Sequence, residues 1–279
     1  MIAFLHPGNV AGAFMDSVCN TMMKEVRPGR LLFDGGGYIN LQSGPRIAEA
    51  RSQIVETFLT APIYAPADWL FMVDSDMVFE ADAMARLIEA ADPVERPIMG
   101  GLCYAGYSPE TAYPTVFSLI EEDGSWATEK VADFPRNAIV KVGATGAAFM
   151  VVHRNALKKM YEHFHLLPNG LVNNYPWFVE GHVDHKGRAL GEDIAFCIRA
   201  QSIGIPVHIH TGVEAGHRKN IILTTETWDD HRVLEKLKAD PQLYEQIRVG
   251  DYGRIINPEL YEEIRLSDSD QINRDEGPA

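Results

Sequence analysis

Asp74 and Asp76 stand two residues apart in WLFMVDSDMVF, residues 69–79, where an apolar run is broken by Asp-Ser-Asp. At the end of a strand, two such side chains leave the backbone on one side if extended geometry persists. Carboxylates facing one point bind a hard divalent cation such as Mg²⁺ or Mn²⁺ and leave positions for phosphate oxygens. The spacing alone is weak, because a DxD arises about once by chance in a chain of this size. Asp268 to Asp270 repeat the triplet in RLSDSDQINRD, with no apolar strand before it and no helix after it, which reads as a solvated tail. Acids that only cap the next helix would need one carboxylate, so context favours Asp74 and Asp76 as the functional copy.

Arg51 is a second anomaly. On a helix over residues 45–59, measured from Ile47, Arg51 falls at about 40°, between Phe58 at about 20° and Val55 at about 80°. A cation in the middle of an apolar stripe requires an anionic partner. That partner is an internal acid, or else the arginine clamps a bound nucleotide or the aspartates of the site. Arg46, at about −100°, lies on the flank of the same helix. Glu192 and Asp193 open a later helix, where acids stabilise the helix dipole or project into a cleft as a general base. Of His208, His210 and His217, the first two share a strand face and suit packing or hydrogen bonding. His217, after Ala215-Gly216 at the strand exit, is the better-placed third metal ligand.

These residues need elements to position them. IAFLH reads as a strand ending at Pro7-Gly8, and AFMDSVCNTMMKE as a helix. LLFDGGGY reads as a short strand entering a glycine loop, and Ser43-Gly44-Pro45 as the start of the helix RIAEARSQIVETFL. ADWLFMVD is the strongest strand, followed by the helix EADAMARLIEAA. RPIMGGLCY and TVFSLI are further strands, VKVGATGAAFMVVH a bent strand or strand pair, and NALKKMYEHF a helix. The loop-rich LPNGLVNNYPWFVEGHVDHKGRAL has the polar and aromatic character of a segment covering a site. GEDIAFCIRAQSIG is a helix stopped by Gly204, followed by the strand IPVHIHTGV and a polar helix ETWDDHRVLEKLKA. Strands alternating with helices predict a three-layer α/β/α fold with a mostly parallel central sheet over residues 1–225, with a C-terminal helical extension and disordered tail over 226–279.

The 279 residues, 46% hydrophobic, suffice for a sizeable core. Opposing 39 acids with 25 Lys and Arg gives a formal charge of −14, which argues against nucleic acid or an anionic membrane as partner. The three cysteines, Cys19, Cys103 and Cys197, form no CxxC pair and read as buried free thiols of a reducing compartment. With no basic signal region and no apolar run near the roughly 20 residues of a membrane span, the expected location is the cytoplasm.

The order of HPG, EARSQIVETFL, VDSDM, MGGLCY, GATGAAFMV, GEDIAFCIRAQSIG and AGH resembles the GT-A fold glycosyltransferases, over roughly residues 1–220. The resemblance implies a Rossmann-like fold and hexosyl transfer from a nucleotide sugar, most often UDP-linked, using Mn²⁺ or Mg²⁺. It places Asp74 and Asp76 at the DxD, with Asp76 the firmer metal ligand, Ser75 against the donor, and His217 completing the metal site. It implies that His6, Pro7 and Gly8 border the nucleoside base, and that Arg51, flanked by Arg46, reaches the diphosphate. Gly101 and Gly146 would admit the donor sugar, and Asp193 with Glu192 would contain the base of an inverting reaction. Tyr175, Trp177 and Phe178 would offer an aromatic platform for sugar or acceptor. Where many members carry Asn after the arginine, this chain has Ser52. The acceptor would be a protein, lipid, glycan or small molecule, and the C-terminal segment, which the resemblance does not cover, would dock on the acceptor side or on another subunit. A metal-dependent phosphohydrolase, and a binding module without turnover, are the alternative readings of the same residues.

Overall fold

The computed structural model describes residues 1–25, 37–106, 111–122, 125–181, 183–184, 187–218, 222–240, 249–250 and 254–255. In chain order the elements are β1 (Ile2–His6), α1 (Gly12–Glu25), β2 (Tyr38–Gln42), α2 (Ile47–Thr60), β3 (Trp69–Asp74), β4 (Met77–Phe79), α3 (Ala83–Ala90) and β5 (Ile98–Ala105). There follow β6 (Tyr113–Pro114), β7 (Val116–Glu122), β8 (Ser125–Lys130), β9 (Ile139–Val142), β10 (Ala144–Thr145), β11 (Phe149–His153), α4 (Arg154–Phe164) and α5 (Glu192–Ser202). The last are β12 (Val207–Arg218), β13 (Ile222–Leu223), α6 (Thr225–Ala239), β14 (Val249–Gly250) and β15 (Arg254–Ile255).

The main sheet has the order β13-β12-β5-β11-β3-β1-β2. β1 is parallel to β2 and β3, and β12 to β5, while β11 is antiparallel to both neighbours. Consequently β2, β1, β3, β5 and β12 all run one way, with β11 reversed among them, as expected of a mostly parallel α/β sheet. Both faces are covered, which is why WLFMVD is apolar along nearly its whole length. Alternate side chains divide between two cores. Ala3, Leu5, Leu70, Met72, Met150 and Val152 pack with α2, α4 and α5. Ile2, Phe4, Phe71, Val73, Phe149 and Val151 pack with α1 and α3. This period of two, read on two covered faces, is the three-layer arrangement.

Several elements differ from expectation. The strand beside β1 is YINLQ, with Ile39 and Leu41 turned inward at the sheet edge, and the expected strand LLF falls in residues 26–36, outside the described residues. The segment expected to hold one bent strand or a pair holds β9, β10 and β11, and β7 pairs with an unanticipated β8. Cys19 is exposed, whereas Cys103 and Cys197 are buried free thiols. The second Asp-Ser-Asp and the expected disordered tail fall outside the described residues. Helix α6 buries Trp228 in the larger core. Among the described residues, no helix is long and apolar enough to cross a membrane.

Candidate functional site

At the carboxyl ends of β1 and β3, where open α/β sheets place ligands, lies a cleft of about 780 Å³. One wall is the loop leaving β1, with His6, Pro7, Asn9 and Ala11, faced by Ser43, Gly44 and Ile47 at the entry to α2. The floor is Arg51, Asp74, Ser75, Asp76 and Glu192. Gly8 turns the first loop with φ 117°, a region that disfavours any side chain, and its N–H donates to His6 Nδ1 at 3.0 Å. A Cβ on Gly8 would stand 3.3 Å from Gln42, a tight approach between the β1 and β2 exits.

The two aspartates do not face one point. Extended geometry ends at Asp74, Ser75 and Asp76 form a turn, and β4 begins at Met77, so the carboxylates diverge. Asp74 accepts from Arg51 Nη2 through both oxygens, at 2.9 and 3.0 Å. The same guanidinium brings Nη1 within 3.3 Å of Glu192 Oε1 and lies 5.8 Å from the Phe178 ring centroid. The arginine that periodicity placed in the interior is 6% exposed and bridges two acids. Burial alone would lower its pKa, but the charges of Asp74, Glu192 and Asp193 outweigh that and raise it. Nη1 lacks an aligned hydrogen-bond acceptor although it is buried. Its anionic neighbour there is Glu192, which shares the edge of the cleft.

Asp76 turns to His217 instead, with Oδ2 2.9 Å from Nε2. β4 pairs with β12 in the register Met77↔His217, and the Arg218 N–H donates to the Asp76 carbonyl at 2.7 Å, which fixes the pair across the sheet. His217 Nδ1 lies 2.8 Å from the Tyr104 carbonyl and must donate to it. Nε2 is thereby the ring nitrogen turned to the Asp76 carboxylate. A 2.9 Å separation matches one edge of an octahedron with bonds of about 2.1 Å. Among the described residues no group of three His, Cys, Asp or Glu is assembled around a cation. Asp76 and His217 would by themselves supply a metal with two protein ligands, one oxygen and one nitrogen, and leave its other positions to ligand or water. Asp74 is engaged by Arg51 through both oxygens and not by His217.

Glu192 reaches the cleft; Asp193 sits behind it, accepting the Ile194 N–H at 2.8 Å with Oδ1. Burial raises the pKa of both carboxyls, and Arg51 offsets part of this. The charge of Asp193 adds to the rise at Glu192, and that of Asp74 adds to both. Asp193 Oδ2 faces Gly146, where a Cβ would make only ordinary contacts at 3.5 Å, also with Thr115.

Other expected residues lie elsewhere. Arg46 is exposed and pairs with Glu49 at 3.4 Å, off the cleft. A Cβ on Gly101 would collide with the Phe149 ring and lie 2.7 Å from the Val213 carbonyl, so this glycine serves core packing beside the β12 bulge, and not a sugar. Trp177 and Phe178 form no platform. The Trp177 indole N–H donates to the Leu157 carbonyl at 2.8 Å, and Phe178 is wholly buried, stacked on Phe196 at 4.5 Å. An amphipathic loop sequence drew them as exposed, but the core claimed their area. Trp177 instead lines a separate hollow of about 480 Å³ with Tyr161, Tyr175 and Glu56. Ser52 is buried, its hydroxyl 3.4 Å from the Phe178 carbonyl. Burial lowers the pKa of His208 and of His210, and neither lines the cleft. Sequence reasoning missed Asn9, Ile47, Gln42 and Tyr104, which carry no signal beyond their place next to strand ends.

No protein-family model matches the chain, and no curated protein is detectably similar to it. Among solved structures it is similar to A197 from STIV, with TM-score 0.48 and 15% identity, over 81% of this chain and 90% of that one. GalNAc-T7, solved with UDP, GalNAc and Mn²⁺, gives 0.48 and 11%; 95% of this chain spans about half, 54%, of that protein. The inositol-1-phosphate CTP transferase from T. maritima gives 0.39 and 12%, over 82% and 93%.

Proposed function

We propose that this chain is a GT-A type glycosyltransferase that moves a hexosyl group from a nucleoside-diphosphate sugar, UDP-linked, to a hydroxyl of a protein, glycan or small-molecule acceptor. The observation that carries this reading is the single cleft that gathers His6, Pro7, Arg51, Asp74, Asp76 and Glu192 at the strand ends, beside the Asp76–His217 pair. Mn²⁺ or Mg²⁺ on Asp76 and His217 would neutralise the charge developing on the leaving diphosphate. Arg51 offers its unaligned Nη1 to the same phosphates, and the His6–Asn9 loop borders the base. Glu192, the acid that reaches the cleft, has its pKa raised by burial, with the charge of Asp193 adding to the rise, and accepts the proton of the attacking hydroxyl. Ser75 and Gly146 flank the path of the donor sugar.

Thermal-shift measurements with nucleosides, nucleoside diphosphates and nucleotide sugars, in Mn²⁺ and in chelator, test this. A uridine diphosphate shift that requires Mn²⁺ is expected. No shift with any nucleotide would sink the reading, and acceptor-independent release of inorganic phosphate from simple phosphate esters would replace it with a phosphohydrolase.

A further inference from the structure

We infer that helix α6 is a positioning element for the His217 ring, acting through Thr225, Tyr104 and Glu214; that the ring then serves a metal rests on the proposed function. The first residue of α6, Thr225, meets both strands that frame the histidine. Its N–H donates to Glu214 Oε1 at 2.7 Å, and its hydroxyl bonds Glu214 Oε2. An ionised carboxylate only accepts, so the Thr225 proton goes to Glu214, and the Tyr104 hydroxyl, 3.0 Å away, must donate to Thr225 Oγ1. The chain of donation therefore has one direction, from Tyr104 through Thr225 to Glu214.

Tyr104 is fully buried at the end of β5, and its carbonyl receives His217 Nδ1–H. Glu214 lies on β12, three residues before His217 and just past the register shift between His210 and Glu214. One helix start thus ties the strand that carries the histidine to the strand that carries its acceptor. The helix is anchored independently: Trp228 packs on Tyr104 at 5.7 Å, and Arg136, bonded to Asp229 at 2.8 Å, lies over the Trp228 and Phe134 rings. A hydrogen bond to the remote nitrogen of a ligating histidine selects its tautomer and aims its other nitrogen. Here that bond is held in place by a segment outside the sheet.

The test uses the full chain without metal and reads the His217 ring nitrogens by NMR, with all proteins compared in one alkaline buffer. The wild type is expected to show the Nδ1–H tautomer alone. Thr225→Val and Tyr104→Phe are expected to show mixed tautomers, with Thr225→Ser restoring the wild-type signature. Asp133→Asn, which removes the exposed Asp133–Arg232 pair, is expected to change nothing and controls for general loosening of the helix. Mn²⁺ titration of the same proteins should weaken about tenfold in the Val and Phe variants. A wild-type signature retained in Thr225→Val overturns the inference. If the wild type binds no Mn²⁺ while the tautomer responds as described, the metal reading falls and the positioning role stands.

Discussion

Asp74 and Asp76 are separated by one residue and live in two different environments. The first belongs to an inner cluster in which Arg51, buried in α2, joins it to Glu192 beside Asp193, so its charge is balanced within the fold. The second belongs to an outer pair with His217, its side chain 41% exposed and its Oδ2 2.9 Å from Nε2. The inner cluster is built like a structural ion pair, and the outer pair is the more exposed of the two. Under the proposed function an exchangeable cation would bind at the second, with preorganised charge at the first.

The largest effect expected separates the two as stability against binding. Arg51→Met leaves Asp74 and Glu192 without their cation, and breaking a buried pair costs about 3–5 kcal/mol. With the Asp74 side chain 34% exposed, the lower end, about 3 kcal/mol, is expected in denaturant unfolding, diminishing in acid as the carboxyls protonate. A loss under about 0.5 kcal/mol, the scale of an ordinary surface change, would mean that solvent already balances those acids. Asp76→Asn should do the reverse, leaving unfolding nearly unchanged while Mn²⁺-dependent UDP binding, followed by calorimetry, weakens about 100-fold. Equal weakening by Asp74→Asn, without loss of stability, would erase the distinction between the two regions.

The smallest effect concerns pH. Burial raises the Asp193 pKa, so the native state holds that proton to higher pH than the unfolded chain does. Its contribution to stability is therefore greatest below the unfolded-state pKa and is lost as pH rises through the folded one. Asp193→Asn keeps an acceptor for the Ile194 N–H but cannot ionise. It should stabilise the protein at neutral pH by about 1 kcal/mol or less, and the gain should vanish in acid below the ordinary carboxylate range. A constant gain at every pH would assign the effect to packing instead.

Much of this was legible in residue order, for identifiable reasons. The alternation of WLFMVD and FMVVH, together with helical periodicities, announces elements buried on two faces. The interior place of Arg51 is legible from helical periodicity alone, because no rotation of that helix turns the guanidinium to solvent without exposing Ile54, Val55 and Phe58 with it. Trp177 and Gly101 misled for opposite reasons. An aromatic residue in a polar loop looks available until the loop folds back and its indole N–H finds a carbonyl at 2.8 Å. A glycine inside a strand looks permissive until a Phe149 ring fills the space its missing Cβ leaves. Tyr104, in MGGLCY, looks like any core aromatic; its carbonyl matters only because His217 arrives 113 residues later.

Sequence by itself determined which faces are buried, that Arg51 is interior, and that acids stand at the end of β3 and the start of α5. Side-chain period encodes orientation relative to an element's own axis, and that information is local. Tertiary structure alone decided the partners: Arg51 to Asp74 across 23 residues, and Asp76 to His217 across 141. A two-residue turn at Ser75–Asp76 and the register of β4 on β12 sent two equivalent carboxylates to different neighbours, and spacing within the triplet carries no trace of either.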